Sequence, residues 1–142
     1  MKNINTIIII MSLFFGNCEC GRKVTNRKYV IENNTNHKIK IDFYQYNRFK
    51  LFKEKIGKGV IHEGMSNDGT GKMIAAFFAF RTDSLVIVFN DNKRQIYYMD
   101  PIFKSLPVSK RNILNDSSYT HESNKLYRYS FTEEDYNNAE DL

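Results

Sequence analysis

Cysteine is almost missing from this chain: of its 142 residues only Cys18 and Cys20 carry a thiol. Everything after Gly21 is therefore free of disulfides, and a bridge between the two would close too small a loop to tie distant parts together. Their C-x-C spacing, with no second ligand pair behind it, also falls short of a zinc pattern. Proline occurs twice, at Pro101 and Pro107, and marks one long connection. The apolar run from Ile7 to Phe15, about nine residues, is too short to span a membrane, which needs about twenty.

Reaction motifs are missing as well. Gly71-Lys72 could end a phosphate-binding loop, but such a loop needs glycine where Ser66 stands and a hydroxyl residue where Met73 stands. Asn67-Asp68 and Asn90-Asp91-Asn92 lack the alternating oxygen ligands, central glycine and closing glutamate of a calcium hand, and suit tight turns instead. His37, His62 and His121 lie far apart, and His62-Glu63 lacks the rest of a zinc-protease motif. No nucleophile-elbow glycines surround Ser84, Ser117 or Ser118. The composition thus points away from an enzyme, and no metal or cofactor is expected.

What the chain does have is an export leader. Lys2 precedes Ile7-Ile8-Ile9-Ile10-Met11-Ser12-Leu13-Phe14-Phe15, and Gly16-Asn17-Cys18 closes the run. A basic tip, an apolar stretch and small residues before the cut are the layout of a secretion signal. The segment resembles a lipoprotein signal, which implies that residues 1–17 are removed and that Cys18 becomes the lipidated amino terminus. The alternatives are an ordinary secretory signal cut near Cys20, giving a soluble secreted or periplasmic protein, and a retained hydrophobic anchor. Residues 18–27 then form the anchor and tether, and residues 28–142 form one domain.

About 125 residues remain after the leader. A domain of this size buries roughly two thirds of its unfolded surface without staples. With 42% hydrophobic and 14% aromatic residues the body is globular rather than disordered. The formal charge of +5 falls to about +4 once Lys2 leaves, a mild excess that favours anionic surfaces. Specific nucleic-acid binding is not expected of an exported protein.

Strand signals dominate the body. Tyr29-Val30-Ile31-Glu32, a turn at 33–36 and the strict alternation Lys38-Ile39-Lys40-Ile41-Asp42-Phe43 suggest an opening hairpin. Residues 44–53 continue extended, and 55–61 read as a strand weakened by Gly57 and Gly59. Residues 64–72 read as an exposed loop, and 73–80 as either helix or strand. Ser84–Phe89 is a central strand that turns at Asn90-Asp91-Asn92-Lys93 and returns along Arg94–Met99. Residues 100–118 form a connection with at most one helical turn. Tyr127–Phe131 is the last strand. Thr132 then caps a brief helix, with Glu133, Glu134 and Asp135 in its first turn. The expected fold is mainly β: one antiparallel β-sandwich or open barrel with a short C-terminal helix.

One stretch has binding character, Tyr44-Gln45-Tyr46-Asn47-Arg48-Phe49-Lys50-Leu51-Phe52-Lys53, where aromatics alternate with bases. Tyr44, Tyr46, Arg48, Lys50 and Lys53 are its candidate contact residues, able to stack on rings and pair with anions. The plainer reading is a strand with aromatics in the core and lysines in water.

The leader, the strand Asp83–Phe89, Arg111-Asn112-Ile113-Leu114-Asn115 and the closing Tyr127–Tyr136 together resemble the small, uncharacterised lipoproteins of the Bacteroidota. The resemblance implies a cell-envelope location and an all-β body, and brings no activity with it. Acids do not cluster behind Cys18, where Arg22 and Lys23 stand, so the outer membrane facing the periplasm is the expected site. The expected role is a non-enzymatic binding or structural module with an envelope protein or an anionic glycan as partner. An inhibitor or immunity-type protein for an exported enzyme or toxin is the alternative.

Overall fold

The computed structural model describes residues 26–67, 76–99, 105–106 and 111–142. The expected leader, Cys18 and the expected tether as far as residue 25 lie outside them, as does the 68–75 stretch expected to form a glycine-rich loop.

Two sheets face each other. The first has the order β4-β1-β9-β8, built from β1 (Asn26–Asn33), β4 (Gly59–Asn67), β8 (Thr120–Ser123) and β9 (Leu126–Phe131). The second runs β10-β6-β5-β2-β3, from β2 (Ile39–Gln45), β3 (Arg48–Lys55), β5 (Ser84–Phe89), β6 (Lys93–Met99) and β10 (Glu140–Asp141). The two-residue β7 (Ser105–Leu106) also pairs with β6. Helix α1 (Ala76–Phe80) and helix α2 (Glu133–Asn137) are one turn or so each. The sheets do not close on each other, so the body is a β-sandwich. Every strand pairing among the described residues is antiparallel except β1 with β9, which run parallel.

Alternation places one apolar face of each sheet inward. Tyr29 and Ile31 of β1 and Tyr127, Tyr129 and Phe131 of β9 meet Ile39, Ile41 and Phe43 of β2 and Leu85, Ile87 and Phe89 of β5. Phe89 and Phe131 cross the gap edge-to-face at 5.6 Å. The core is rich in tyrosine, and the buried phenols of Tyr29, Tyr97, Tyr119 and Tyr129 each find a partner, as burial of a polar group demands. Tyr119 donates to the Ile113 carbonyl at 2.7 Å, Tyr97 to Gln95 at 2.7 Å and Tyr29 to Asp116 at 3.0 Å. Desolvation pushes the Tyr119 and Tyr129 pKa values well up.

The opening hairpin does not form. β1 and β2 belong to different sheets, because the turn after β1 carries the chain across the sandwich instead of folding it back. Asn33 builds that corner. Its carbonyl oxygen accepts the Thr35 N–H at 2.9 Å and the Thr35 hydroxyl at 2.7 Å, and its amide donates to the His37 carbonyl at 2.7 Å. The same amide donates to the Gly57 carbonyl at 3.0 Å, tying this corner to the second crossing, from β3 to β4. Residues 55–61 are that second crossing and not one strand: β3 ends at Lys55, Gly57 turns with φ +70°, and β4 begins at Gly59. A bulge does occur, at Ile61, where the β1–β4 register slips. β4 also runs on through Gly64, Met65 and Ser66, which were expected in a loop.

Residues 44–53 are not continuous either. β2 and β3 form a hairpin whose two turn residues, Tyr46 and Asn47, both take left-handed backbone (φ 53° and 58°). The polar strand β8 pairs with β9 and carried no period-two signal. The β5–β6 hairpin and the helix after Phe131 are as the sequence suggests. Asn90 and Asp91 supply the left-handed turn residues (φ 50° and 61°). Thr132 and Asp135 form a capping box, with the Asp135 carboxylate accepting the Thr132 N–H at 2.8 Å.

Candidate functional site

The two outer faces differ in chemistry. On the first sheet, charges pair across strands. Lys28 meets Glu63 at 2.9 Å, and Arg128 meets Glu32 at 2.7 Å and also Glu122. Pairing with Arg128 holds the Glu122 carboxyl below its ordinary pKa. These long side chains cover Val30, which is buried although it points outward. That face is mostly a neutralised, solvated surface, with Val60 and Met65 as its separate exposed aliphatic side chains.

The second sheet presents apolar rows instead. Its registers align Phe52, Asp42, Val86 and Ile96 in one row and Phe49, Tyr44, Ser84 and Tyr98 in the next. Phe49 is 58% exposed, Phe52 and Tyr98 47% and Ile96 46%. A further row pairs Lys40 with Glu54 and Asp91, next to Arg94. Hydrogen bonds from Lys38 and Lys40 hold the Asp91 carboxyl below its ordinary pKa. Adjacent exposed aromatics on one face are unusual for a solvated sheet and mark contact surfaces.

The fold does not gather the five sequence-predicted contact residues on one surface. Tyr44 is half-buried on this face, with its ring edge-on to Phe49 at 5.8 Å. Tyr46 occupies the hairpin turn and is 81% exposed. Arg48 opens β3 beside it. Lys50 is the extra residue of a bulge opposite Phe43 and Tyr44, and its ammonium donates to the Arg81 carbonyl at 2.9 Å. Lys53 lies in register with the core residue Ile41, on the inner side of edge strand β3. There it helps lower the pKa of His62, whose leading cause is burial. The bulge and the turn therefore separate a stretch that reads as one unit in the sequence.

The structure adds residues that the sequence did not single out. A cleft of about 820 Å³ opens beside the β2–β3 turn. Gln45, Tyr46 and Asn47 form one wall, Phe77, Phe78 and Arg81 from α1 and its end form another, and Asp83, Ser84, Tyr98 and Met99 complete it. The volume falls within the range of about 300–1,000 Å³ typical of small-molecule sites. Its frame is tightly bonded. The Asp83 carboxylate accepts the Tyr46 N–H at 2.6 Å and the Ser84 hydroxyl at 3.0 Å, and the Met99 N–H donates to the Asp83 carbonyl at 2.7 Å. The Thr82 hydroxyl bonds the Ser84 carbonyl at 2.8 Å.

Compared with known protein families, curated proteins and solved structures, the chain matches none.

Three of the five non-glycine residues with positive φ among the described residues line this one cleft: Tyr46, Asn47 and Arg81 (φ 49°). Asparagine tolerates that backbone, but tyrosine and arginine gain nothing from it and give up about 1–2 kcal/mol each. No sequence signal announces such positions, because neither residue is a turn former.

The three histidines sit in three separate settings. His37 stacks on Tyr136 at 3.7 Å. Its Nδ1 accepts from the Asn90 amide at 2.7 Å, and its Nε2 lies 2.8 Å from Glu133. The Asn90 orientation is fixed because its oxygen accepts the Lys38 N–H at 2.8 Å. His37 thereby pins α2 to both turns. His62 packs against Phe43 and Phe80, and His121 against Tyr127. Among the described residues no three metal-binding side chains gather.

Proposed function

We propose that the chain is an envelope-anchored lipoprotein whose body is a non-enzymatic binding or structural module, held through Cys18 at the periplasmic side of the outer membrane. In this reading it resembles the small lipoproteins of the Bacteroidota, and it meets its partner with the outer face of the second sheet. The observation that carries the binding role is the contrast between the faces: one is laced with ion pairs and, among the described residues, exposes only the aliphatic Val60 and Met65, far apart on β4, whereas the other groups Phe49, Phe52, Ile96 and Tyr98 in neighbouring rows. The anchor rests on the leader and its cysteine. Labelling cells with a fatty-acid precursor tests it: the native chain takes up label and stays with membranes, and Cys18→Ala does neither. Native chain without acyl mass, free in the medium, contradicts it.

The second reading, an inhibitor of an exported enzyme or toxin, draws on β3. This edge strand leaves one row of backbone groups unpaired, and Arg48, Lys53 and Lys55 along it have no ion-pair partner among the described residues. A basic edge can add to a partner's sheet or enter an acidic cleft. Copurification of one stoichiometric enzyme, lost on reversing those three charges, would favour this reading over the first.

A further inference from the structure

We propose that the cleft between the β2–β3 turn, the end of α1 and β6 binds an acidic sugar residue, with its ring on Tyr46 and Tyr98 and its carboxylate on Arg81. The inference rests on reading the body as a binding module, and not on the anchor.

The backbone supplies the first argument. Tyr46 and Arg81 hold left-handed conformations that glycine adopts without strain, and both line the cleft. The frame that enforces these angles is over-determined: Asp83 holds the Tyr46 N–H, and Lys50 holds the Arg81 carbonyl. A fold that needed only the turn would be served better by glycine at both sites. Strain kept at two positions of one cleft points to the side chains as what is being kept.

The side chains supply the second. The side-chain polar groups of Arg81, Gln45, Asn47, Tyr46 and Tyr98 have no hydrogen-bond or ion-pair partner among the described residues. Aromatic rings give a pyranose its C–H face to rest on. The amides of Gln45 and Asn47 each offer a donor pair and an acceptor, which suits neighbouring hydroxyls. Arg81 presents a planar fork that takes a carboxylate through two parallel bonds. Asp83, the acid among the residues that line the cleft, is committed to Tyr46 and Ser84, and no ion pair joins it to the guanidinium. The cleft is open to solvent on one side, which disfavours an alkyl-chain acid that needs an enclosed channel.

The test is equilibrium titration of the full chain in detergent with trigalacturonate, galactotriose and octanoate. The readout is tyrosine emission, which the absence of tryptophan leaves unmasked. Trigalacturonate should bind at least tenfold more tightly than galactotriose, and octanoate should not bind. Tyr46→Gly and Arg81→Gly should each weaken trigalacturonate at least tenfold while Tm holds or rises, because glycine relieves the backbone. Equal binding of the neutral sugar, binding of octanoate, absence of binding, or unchanged affinity in both variants overturns the proposal. If trigalacturonate fails while the outer aromatic face is still protected on native envelopes, this inference falls and the binding-module reading stands.

Discussion

Gly64 offers a substitution whose effect can be worked out from the structure. It lies on β4 directly beneath α1, paired with Tyr29 on the inner face of the first sheet. An alanine Cβ there would sit 2.7 Å from the Ala79 carbonyl oxygen and 2.8 and 2.9 Å from two carbons of the Phe80 ring. Ordinary contact begins at 3.4 Å, so the helix end must retreat by about 0.7 Å, the difference between 3.4 and 2.7. Two of the three atoms belong to a buried ring and the third to backbone, so no flexible tip can swing aside. Overpacking of this kind costs about 1–3 kcal/mol. At roughly 4 °C per kcal/mol for a domain of about 100 residues, Tm of Gly64→Ala should fall by about 4–12 °C. Gly57 is the matched control. Its position is open, with nothing within 4 Å, and only its φ of +70° penalises a side chain. Gly57→Ala should therefore cost about 1 kcal/mol through the backbone alone. Thermal melts by circular dichroism decide the matter. A Gly64→Ala protein that melts with the native one, or less affected than Gly57→Ala, would refute the close packing of α1 on β4.

Further expectations follow from single side chains. Asn33→Ala removes the bonds joining the two crossings and leaves the buried Thr35 donors unpaired, a loss of about 2–4 kcal/mol in denaturant melts; a loss under about 1 kcal/mol would argue against the shared corner. Asp135→Ala deletes the cap of α2 and the 3.0 Å contact to Arg111, costing about 2–3 kcal/mol, with Asp135→Asn in between because it keeps an acceptor for Thr132. His62 has its pKa lowered by burial first and by Lys53 next. The unfolded chain takes up a proton that the folded one resists, so stability should decline as pH falls through 6.5 and level off below the folded value. His62→Gln should lose that part of the pH dependence, and an identical slope in the variant would contradict the assignment.

Local signals carried much of the fold. Ser84–Phe89 with its Asn-Asp-Asn turn and Thr132 with Asp135 three residues on were legible because each is fixed by neighbours in the chain. The crossings were not. Asn33 marks a turn in the sequence, but whether the flanking strands pair or part depends on Gly57, distant in the chain, which accepts its amide. The parallel pairing of β1 with β9 likewise joins the two ends of the domain. The β2–β3 turn carries no sequence mark, since Tyr46-Asn47 lacks the glycine that usually signals such a hairpin. The fold divides the aromatic and basic stretch between several surroundings. Tyr44, Tyr46 and Arg48 stand at the exposed face or its turn, whereas one bulge sends Lys50 to the α1 carbonyls and alternation puts Lys53 on the inner side. Arg81, Phe78 and Tyr98 could not be found, because only the fold brings them to the same cleft.

The central claim is that this body meets its partner with the second sheet and not the first. Hydroxyl-radical footprinting of the full chain on isolated cell envelopes, against the same chain in detergent, tests it directly. Tyr46, Phe49, Phe52 and Tyr98 should be protected, while Met65, 64% exposed on the opposite face and highly reactive, should be oxidised as before. Protection of Met65 with the aromatic residues left open, or no protection anywhere, would contradict the account.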